Sequence, residues 1–293
     1  TKPLFFTLAP CETLIEAFQT RRTREGRATV IVVAGEALID FIPTQSTDGR
    51  TAYRPACGGS PYNAAVGIAR QGVAVEFMGG LSTDLFGDQL AAFLAASGVG
   101  TAYAPRMRQP TTLAFVSLEH EEPQYAFFVE NTAARLFDPE AIALPVEATM
   151  LQCGSISLIS DPFASRMARL FVAQKGQRVL GLDPNIRPGM VDDEPAYRAR
   201  LKAMTDVADI IKISRVDLEW LAPDQTPAAW AAERLAGGAS LIVVTAGSDG
   251  ATGYGRGFTV VQPVVKVGPV ADTVGAGDSF TSGLLTSLAK RNL

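Results

Sequence analysis

Short apolar runs alternate with helical patterns along most of the chain. Apolar runs rich in β-branched residues predict buried strands at residues 29–34, 75–78, 178–182, 209–213 and 241–245. Amphipathic stretches between them predict helices at residues 63–70, 87–96 and 163–174. Strands that alternate with helices are typical of βαβ units, so the pattern predicts an α/β fold with a mostly parallel sheet.

Two regions interrupt this alternation. Strands with no helix between them are predicted near residues 50–56 and within residues 111–130, where segments 111–118 and 124–130 flank an acidic turn. We expect a small antiparallel sheet inserted into the α/β domain, with His120 in a surface loop. We expect residues 1–28 to form an N-terminal extension with a short helix at 12–18, and residues 29–293 to form one domain.

Composition narrows the class of protein. The formal charge is −4 and the pI is about 5.2, which argues against a nucleic-acid partner and against an anionic membrane surface. Cys11, Cys57 and Cys153 are too far apart for a CxxC zinc site, and an odd number does not form a disulfide framework. No apolar run is long enough to span a bilayer, so we expect a cytoplasmic protein with reduced thiols.

A glycine-rich segment at residues 271–280 opens a helical pattern in which Phe280, Leu284 and Leu288 recur every four residues. Small residues at a helix start leave backbone N–H groups bare, and these groups with the helix dipole favour a bound anion. Asp278, in the first turn, can accept a proton from an attacking hydroxyl. On residue types alone, a helix-capping role for Asp278 is equally compatible.

Other polar segments are expected to share one cleft with that helix. A second glycine-rich segment, at residues 57–63, also opens a helix, although a simple turn explains it as well. Asp40 is predicted just beyond the first strand, and residues 183–187 and 245–250 follow two later strands. The carboxyl ends of strands in open α/β sheets are where ligands bind.

Several common motifs are absent from the sequence. It contains no GxxxxGK[ST] loop, no GxGxxG segment after a strand and no HExxH. P-loop enzymes, dinucleotide dehydrogenases and zinc proteases of those types are therefore disfavoured.

Two of these segments carry a resemblance to a known family. DTVGAGD at 272–278 and GGSPYN at 58–63 resemble the two signatures of PfkB-type (ribokinase-like) carbohydrate kinases, and the resemblance runs from about residue 30 onward. It implies a ribokinase-like α/β/α sandwich with a mostly parallel central sheet and a small β-strand lid over the sugar. It also implies ATP, Mg²⁺ and a homodimer formed through the lid.

The resemblance assigns roles position by position. Asp278 matches the general base, and Arg187 resembles a residue that reaches the transferred phosphate. The backbone positions that match the anion hole are Gly275, Ala276 and Gly277. The positions that match sugar contacts are Asp40, Gly58, Gly59 and Asn63. The positions assigned to the nucleotide are Thr245, Gly247, Gly250, Lys212 and Ser214.

The metal positions depart from the family pattern. Ser214-Arg215-Val216-Asp217 stands where the family has NxxE, so Asp217 is expected to hold Mg²⁺ through water with a rearranged water shell. Asp272 is expected at a monovalent-cation site for K⁺.

The family motifs leave the substrate open. GEALIDFIP, GGSPYN, the segment 131–135 and DPNIRP resemble bacterial fructokinases, which makes fructose the first choice. 2-Keto-3-deoxygluconate and ribose are alternatives, and the carboxylate of the former would need a cation such as Arg54, Arg106 or Arg108. A non-catalytic sugar or nucleotide sensor, or a scaffold, would be a different class of protein, and an ATP-binding test separates the scaffold from the other two.

Overall fold

A nine-stranded sheet forms the centre of the protein. The structure is a computed structural model that describes residues 30–117, 124–265 and 274–291. The strands of the sheet, in spatial order, are β15 (Phe258–Gln262), β14 (Ala251–Gly255), β13 (Leu241–Thr245), β12 (Ile210–Ser214), β11 (Val179–Asp183), β10 (Ala148–Gly154), β1 (Val30–Ala34), β4 (Ala74–Met78) and β6 (Gly100–Tyr103). The pairs from β13 to β6 are parallel, and β14 and β15 add an antiparallel edge.

Helices cover both faces of this sheet. One face packs against α1 (Ser60–Arg70), α2 (Leu85–Ala96) and α8 (Ala276–Lys290). The other face packs against α4 (Phe163–Ala173), α5 (Glu194–Val207), α6 (Arg215–Leu221) and α7 (Pro227–Ala236), while the short helix α3 is Ala133–Leu136. Because alternate strand residues such as Ile31 and Val32 enter opposite cores, both faces of β1 are apolar.

A second sheet has four strands. In spatial order they are β3 (Thr51–Gly58), β2 (Leu38–Gln45), β8 (Thr112–Ser117) and β9 (Gln124–Phe128). The β2–β8 pair is parallel, and the two outer pairs are antiparallel. Two short strands, β5 (Leu81–Ser82) and β7 (Arg106–Met107), pair with each other. We call the four-stranded sheet the lid sheet.

The α/β/α sandwich and the lid sheet confirm the predicted fold class, and the lid sheet contains one strand that was not predicted. Asp40 was expected just beyond β1, and it lies within β2, a strand that the sequence analysis did not predict. Pro43 obscures the strand pattern, because proline lowers strand propensity except at edges and bulges. The lid sheet therefore has four strands where three were predicted.

Several expected features fall outside the described residues: the extension with its helix at 12–18, the loop residue His120 and Asp272. Within the described ranges, no helix combines the length and apolar character that a membrane crossing requires.

Candidate active site

The start of α8 places several backbone N–H groups ahead of the first intrahelical hydrogen bond. Gly275 is the N-cap, with a left-handed φ of 76°, and the first intrahelical bond runs from the N–H of Ser279 to the carbonyl of Gly275. The N–H groups of Ala276, Gly277 and Asp278 therefore precede the hydrogen-bond ladder of the helix. The positive end of the helix dipole adds to them, so this terminus can hold an anion.

The carboxylate of Asp278 is held by two side chains of α1. The Ser60 hydroxyl donates to Oδ1 at 2.7 Å, and the Asn63 amide donates to Oδ2 at 2.8 Å. Burial raises the pKa of Asp278, and these two hydrogen bonds oppose that rise. A carboxylate has about four acceptor sites, so Asp278 retains lone pairs for a further proton.

Asp40 lies on the other side of the same cleft. It is half-buried on β2 opposite β3, and a side chain at Gly58 would collide with its carboxylate. Burial first, and then the negative charge of Asp278, raise the pKa of Asp40 to about 6. The cleft thus contains two carboxyl groups close enough to repel each other.

Glu36, which the sequence analysis did not select, links the two walls of the cleft. Its carboxylate accepts the N–H of Ser60 on one wall and the N–H of Ser157 on the other, each at 3.2 Å. Burial raises the pKa of Glu36 to about 7. A Cβ at Gly59, whose φ is 106°, would lie 2.7 Å from the Glu36 carbonyl oxygen, so the turn approaches Glu36 closely.

A buried ion pair lies beneath the start of α8. Lys212 Nζ is 3.0 Å from Asp183 Oδ2, which also accepts the hydroxyl of Thr281 at 2.7 Å. A Cβ at Gly277 would be 3.2 Å from the same ammonium. Lys212 was assigned to the nucleotide, and it lies directly beside the predicted anion hole. Asp183 is a second residue that the sequence analysis did not assign.

The strand ends meet along one edge of the central sheet, as predicted. Gly154 pairs with Asp183, and Ser214 pairs with Thr245, at the carboxyl ends of neighbouring strands. After β13 the chain turns through a 3-10 helix, Gly247–Asp249. Gly250 follows with a φ of 91°, and a side chain there would collide with the backbone of β15, so the turn requires glycine.

Asp217, the candidate magnesium residue, uses one of its two carboxylate oxygens in a hydrogen bond within the protein. Asp217 is 8% exposed, and its Oδ1 accepts the N–H of Ile186 at 3.1 Å, while Ser214 caps α6 by accepting the N–H of Asp217. In ranges 30–117, 124–265 and 274–291, no three acidic, histidine or cysteine residues are grouped to hold a metal ion. Magnesium often takes only one or two protein carboxylates together with phosphates and water, so one free Asp217 oxygen fits a water-mediated contact.

Arg187 is turned back onto its own loop. Its guanidinium donates to Asn185 Oδ1 at 2.8 Å and to the Ile186 carbonyl at 3.0 Å. Asn185 has a left-handed φ of 41°, and Ser155, at the end of the neighbouring strand, has a φ of 67°. Such conformations are uncommon outside glycine and cluster at functional sites.

Five of the predicted site residues lie close together. The structure brings Asp40, Gly58, Gly59, Asn63 and Asp278 together around one cleft. The residues that the sequence analysis missed are Glu36, Ser60 and Asp183. Each is a polar residue inside a motif already singled out, at the carboxyl end of a strand or at the start of a helix, and that position was the available signal.

Comparisons with known proteins show which family the chain matches. Residues 28–292 match the family described as pfkB family carbohydrate kinase. The chain is 39% identical over 265 residues to a fructokinase of Rhizobium leguminosarum bv. trifolii, covering 90% of this chain and 81% of that protein. It is 35% identical over 281 residues to fructokinase-1 of Oryza sativa subsp. japonica, covering 90% and 84%.

A solved structure shares the fold. A fructokinase from Xylella fastidiosa with bound ATP superposes with a TM-score of 0.82 at 30% identity, covering 90% of this chain and 82% of that one. The shared fold confirms the ribokinase-like prediction.

Proposed function

The chain belongs to the pfkB family of carbohydrate kinases and is an ATP-dependent sugar kinase, and we propose that it phosphorylates fructose with Asp278 as the general base. The observation that carries the role of Asp278 is its position: a half-buried carboxylate in the first turn of α8, fixed by Ser60 and Asn63. A base must be held within reach of the proton that it removes.

The reaction is an in-line phosphoryl transfer. The Asp278 carboxylate takes the proton of the sugar hydroxyl as the oxygen forms a bond to the γ-phosphorus of ATP. The bond between that phosphorus and the β–γ bridging oxygen breaks, and ADP leaves with the electron pair. Asp40, Gly58 and Gly59 border the same cleft and are suited to bind and orient the sugar hydroxyls.

Backbone and side-chain charges oppose the negative charge of the transferred group. The backbone N–H groups of Gly275, Ala276 and Gly277 at the start of α8 would hold its oxygens, with the Lys212 ammonium beside them. Magnesium bound to ATP would neutralise further phosphate charge, and Asp217 would hold it through water. We assign Thr245, Gly247, Gly250 and Ser214 to the nucleotide because they lie at the same sheet edge.

The charges of the cleft favour a neutral sugar over a sugar acid. Asp40 and Asp278 would repel the carboxylate of 2-keto-3-deoxygluconate. Among the arginines considered for that carboxylate, Arg106 donates to the Ser82 carbonyl and pairs with Asp88. The named activity of the relatives then selects fructose among the neutral sugars.

A coupled ADP-release assay tests the substrate. ATP and Mg²⁺ are supplied with fructose, ribose, glucose, 2-keto-3-deoxygluconate or a nucleoside, with and without K⁺. We expect fructose to give the highest kcat/KM. A higher value for another sugar would overturn fructose while leaving the kinase reaction in place.

Asp278→Asn tests the base in the same assay. We expect kcat to fall by about 10²-fold or more, because general-base catalysis contributes about that much. Asp224→Asn, an exposed aspartate between α6 and α7, is the matched control and should keep full activity. If the Asp278 variant keeps more than a tenth of wild-type kcat, another residue is the base.

An aromatic face of the lid sheet supports the homodimer that the resemblance implies. Phe41 and Phe115 stack at 4.6 Å there, and Tyr53 and Phe128 are 45% and 59% exposed beside them. We propose that a second copy covers this aromatic patch. Sedimentation should give a dimer that Phe128→Asp dissociates, whereas Val261→Asp on the far edge strand should not. A monomeric wild type would refute it.

Two predictions from the sequence accompany this proposal. A cytoplasmic location is consistent with the free thiols of Cys57 and Cys153, and it stays a prediction. The K⁺ site at Asp272 also stays a prediction, which the assay with and without K⁺ addresses.

A further inference from the structure

A small polar pocket lies beneath Ser60, between α1, β10, β11 and α8. Its polar lining comes from Ser60, Gln152, Asp183 and Thr281. Its volume is about 10 Å³, which is close to the space that the centre of one water molecule needs. No role has been assigned to this pocket so far, and it lies directly below the side chain that holds Asp278.

Asp183 lines this pocket and has one unsatisfied carboxylate oxygen. The residue is 4% exposed, and its Oδ2 accepts from Lys212 and Thr281. Its Oδ1 is buried and has no hydrogen-bond partner among the described residues. Because a buried carboxylate oxygen without a donor is costly and rare, a donor is expected at this position.

Ser60 and Gln152 offer the complementary groups. The Ser60 hydroxyl gives its one hydrogen to Asp278, so its lone pairs remain available as acceptors. The Gln152 amide nitrogen donates to the carbonyl of Cys153 at 3.1 Å and has a second N–H. One acceptor carboxylate, one acceptor hydroxyl and one amide donor match the three hydrogen bonds typical of a buried water.

We propose that this pocket binds one water molecule, which donates to Asp183 Oδ1 and Ser60 Oγ and accepts from Gln152. The water orients the Ser60 hydroxyl so that its hydrogen points at Asp278. Asp183 and Ser60 are then positioning residues for the base, and this role rests on the proposed function of Asp278.

The proposed water connects Asp183 to Asp278 through the Ser60 hydroxyl. The charged groups around Asp278 are Asp40 across the cleft and the Asp183–Lys212 pair beneath it. Ser60 is the side chain that both contacts the base and lines the pocket containing Asp183. A change at Asp183 should therefore reach the base partly through Ser60 and the water.

A crystal structure of the unliganded wild type tests the water without any assay. We expect one water within hydrogen-bond distance of both Asp183 Oδ1 and Ser60 Oγ. Well-defined density that shows a dry pocket, or a side chain filling it, would overturn the proposal.

The pH dependence of kcat/KM for the preferred sugar tests the positioning role. Ser60→Ala removes a donor that stabilises the ionised base, so the acid limb should move up by about one pH unit, a loss of about tenfold at low pH. Ser282→Ala is the matched control: it lies on α8, is 2% exposed, and donates to a helix carbonyl. Its acid limb should not move.

A double-mutant cycle tests the connection through Ser60. Asp183→Asn should shift the acid limb in both backgrounds, because the Asp183 charge also acts directly on Asp278, and the shift should be smaller in Ser60→Ala. Equal shifts in the two backgrounds would show that Asp183 acts independently of Ser60 and would refute the link. If the Asp183 variant does not fold, the water position in the crystal structure and the pH profile of Ser60→Ala decide the proposal. If the wild type shows no sugar-dependent turnover, the proposed function fails, and the crystal structure still decides whether the water is bound.

Discussion

Glu36→Gln should remove a pH dependence from the stability of the fold. Glu36 is 3% exposed, and burial raises its pKa from 4.5 to about 7 in the folded protein. In the unfolded chain the same carboxyl ionises near its ordinary value. The folded state therefore binds more protons than the unfolded state between about pH 4.5 and pH 7, and stability falls as the pH rises through this window.

The expected magnitude follows from the difference between the two pKa values. One pH unit corresponds to about 1.4 kcal/mol, so a rise from 4.5 to about 7 gives about 3 kcal/mol of lost stability by pH 8. Glutamine has nearly the same shape and does not titrate. The free energy of unfolding of Glu36→Gln, minus that of the wild type, should therefore grow by about 3 kcal/mol between pH 4.5 and pH 8.

Urea denaturation at several pH values, followed by the fluorescence of Trp220 and Trp230, measures this difference. Glu233→Gln, an exposed glutamate on α7, controls for the substitution itself and should show a difference that does not grow with pH. The subtraction also cancels the pH dependence that Asp40, Asp217 and Asp278 contribute to both proteins. A difference that stays constant within about 0.5 kcal/mol would refute the reasoning, because Glu36 would then ionise alike in both states.

Three further outcomes are expected. Lys212→Met leaves the buried Asp183 carboxylate unpaired and should lower the free energy of unfolding in urea by about 3–5 kcal/mol; a loss below about 1 kcal/mol would contradict a tight ion pair. Gly59→Ala should cost at least about 1 kcal/mol more than Gly49→Ala, because both glycines have positive φ but only Gly59 has backbone within 3 Å of the added Cβ; equal losses would mean that the turn can relax. ATP hydrolysis without sugar should be slow beside the sugar-dependent rate, because closure over the sugar excludes water; equal rates would exclude a sugar-induced closure.

Strands and helices with a strong local pattern were predictable from the sequence. The strand at 241–245 matches β13 residue for residue, because its four consecutive apolar residues, 241–244, alternate between two cores. β2 was missed because Asp40 and Pro43 interrupt its apolar pattern, and its stability comes from pairing with β3 and β8. Such pairing depends on residues far along the chain, which a local pattern does not contain.

In the candidate site too, residues with a local sequence signature were predictable, and residues whose partners lie far along the chain were not. The glycine runs and Asp278 were recognisable because helix starts with small residues have a local signature. Glu36 was missed because its partners are backbone N–H groups 24 and 121 residues away, and these carry no side-chain signal. Asp183 and Lys212 are 29 residues apart on neighbouring strands, so only the strand order brings them together.

The two signature helices, α1 and α8, hold Asp278, the proposed base, through contacts that close a very long loop. Ser60 and Asn63 are 218 and 215 residues from Asp278 in sequence. Closing such a long loop costs chain entropy, which the contacts must offset. We therefore expect these contacts to form late in folding. Hydrogen exchange during refolding should therefore protect amides of the central strands before those at the start of α8. A partly folded chain would then lack a positioned base, so phosphoryl transfer would begin only when the whole fold is complete.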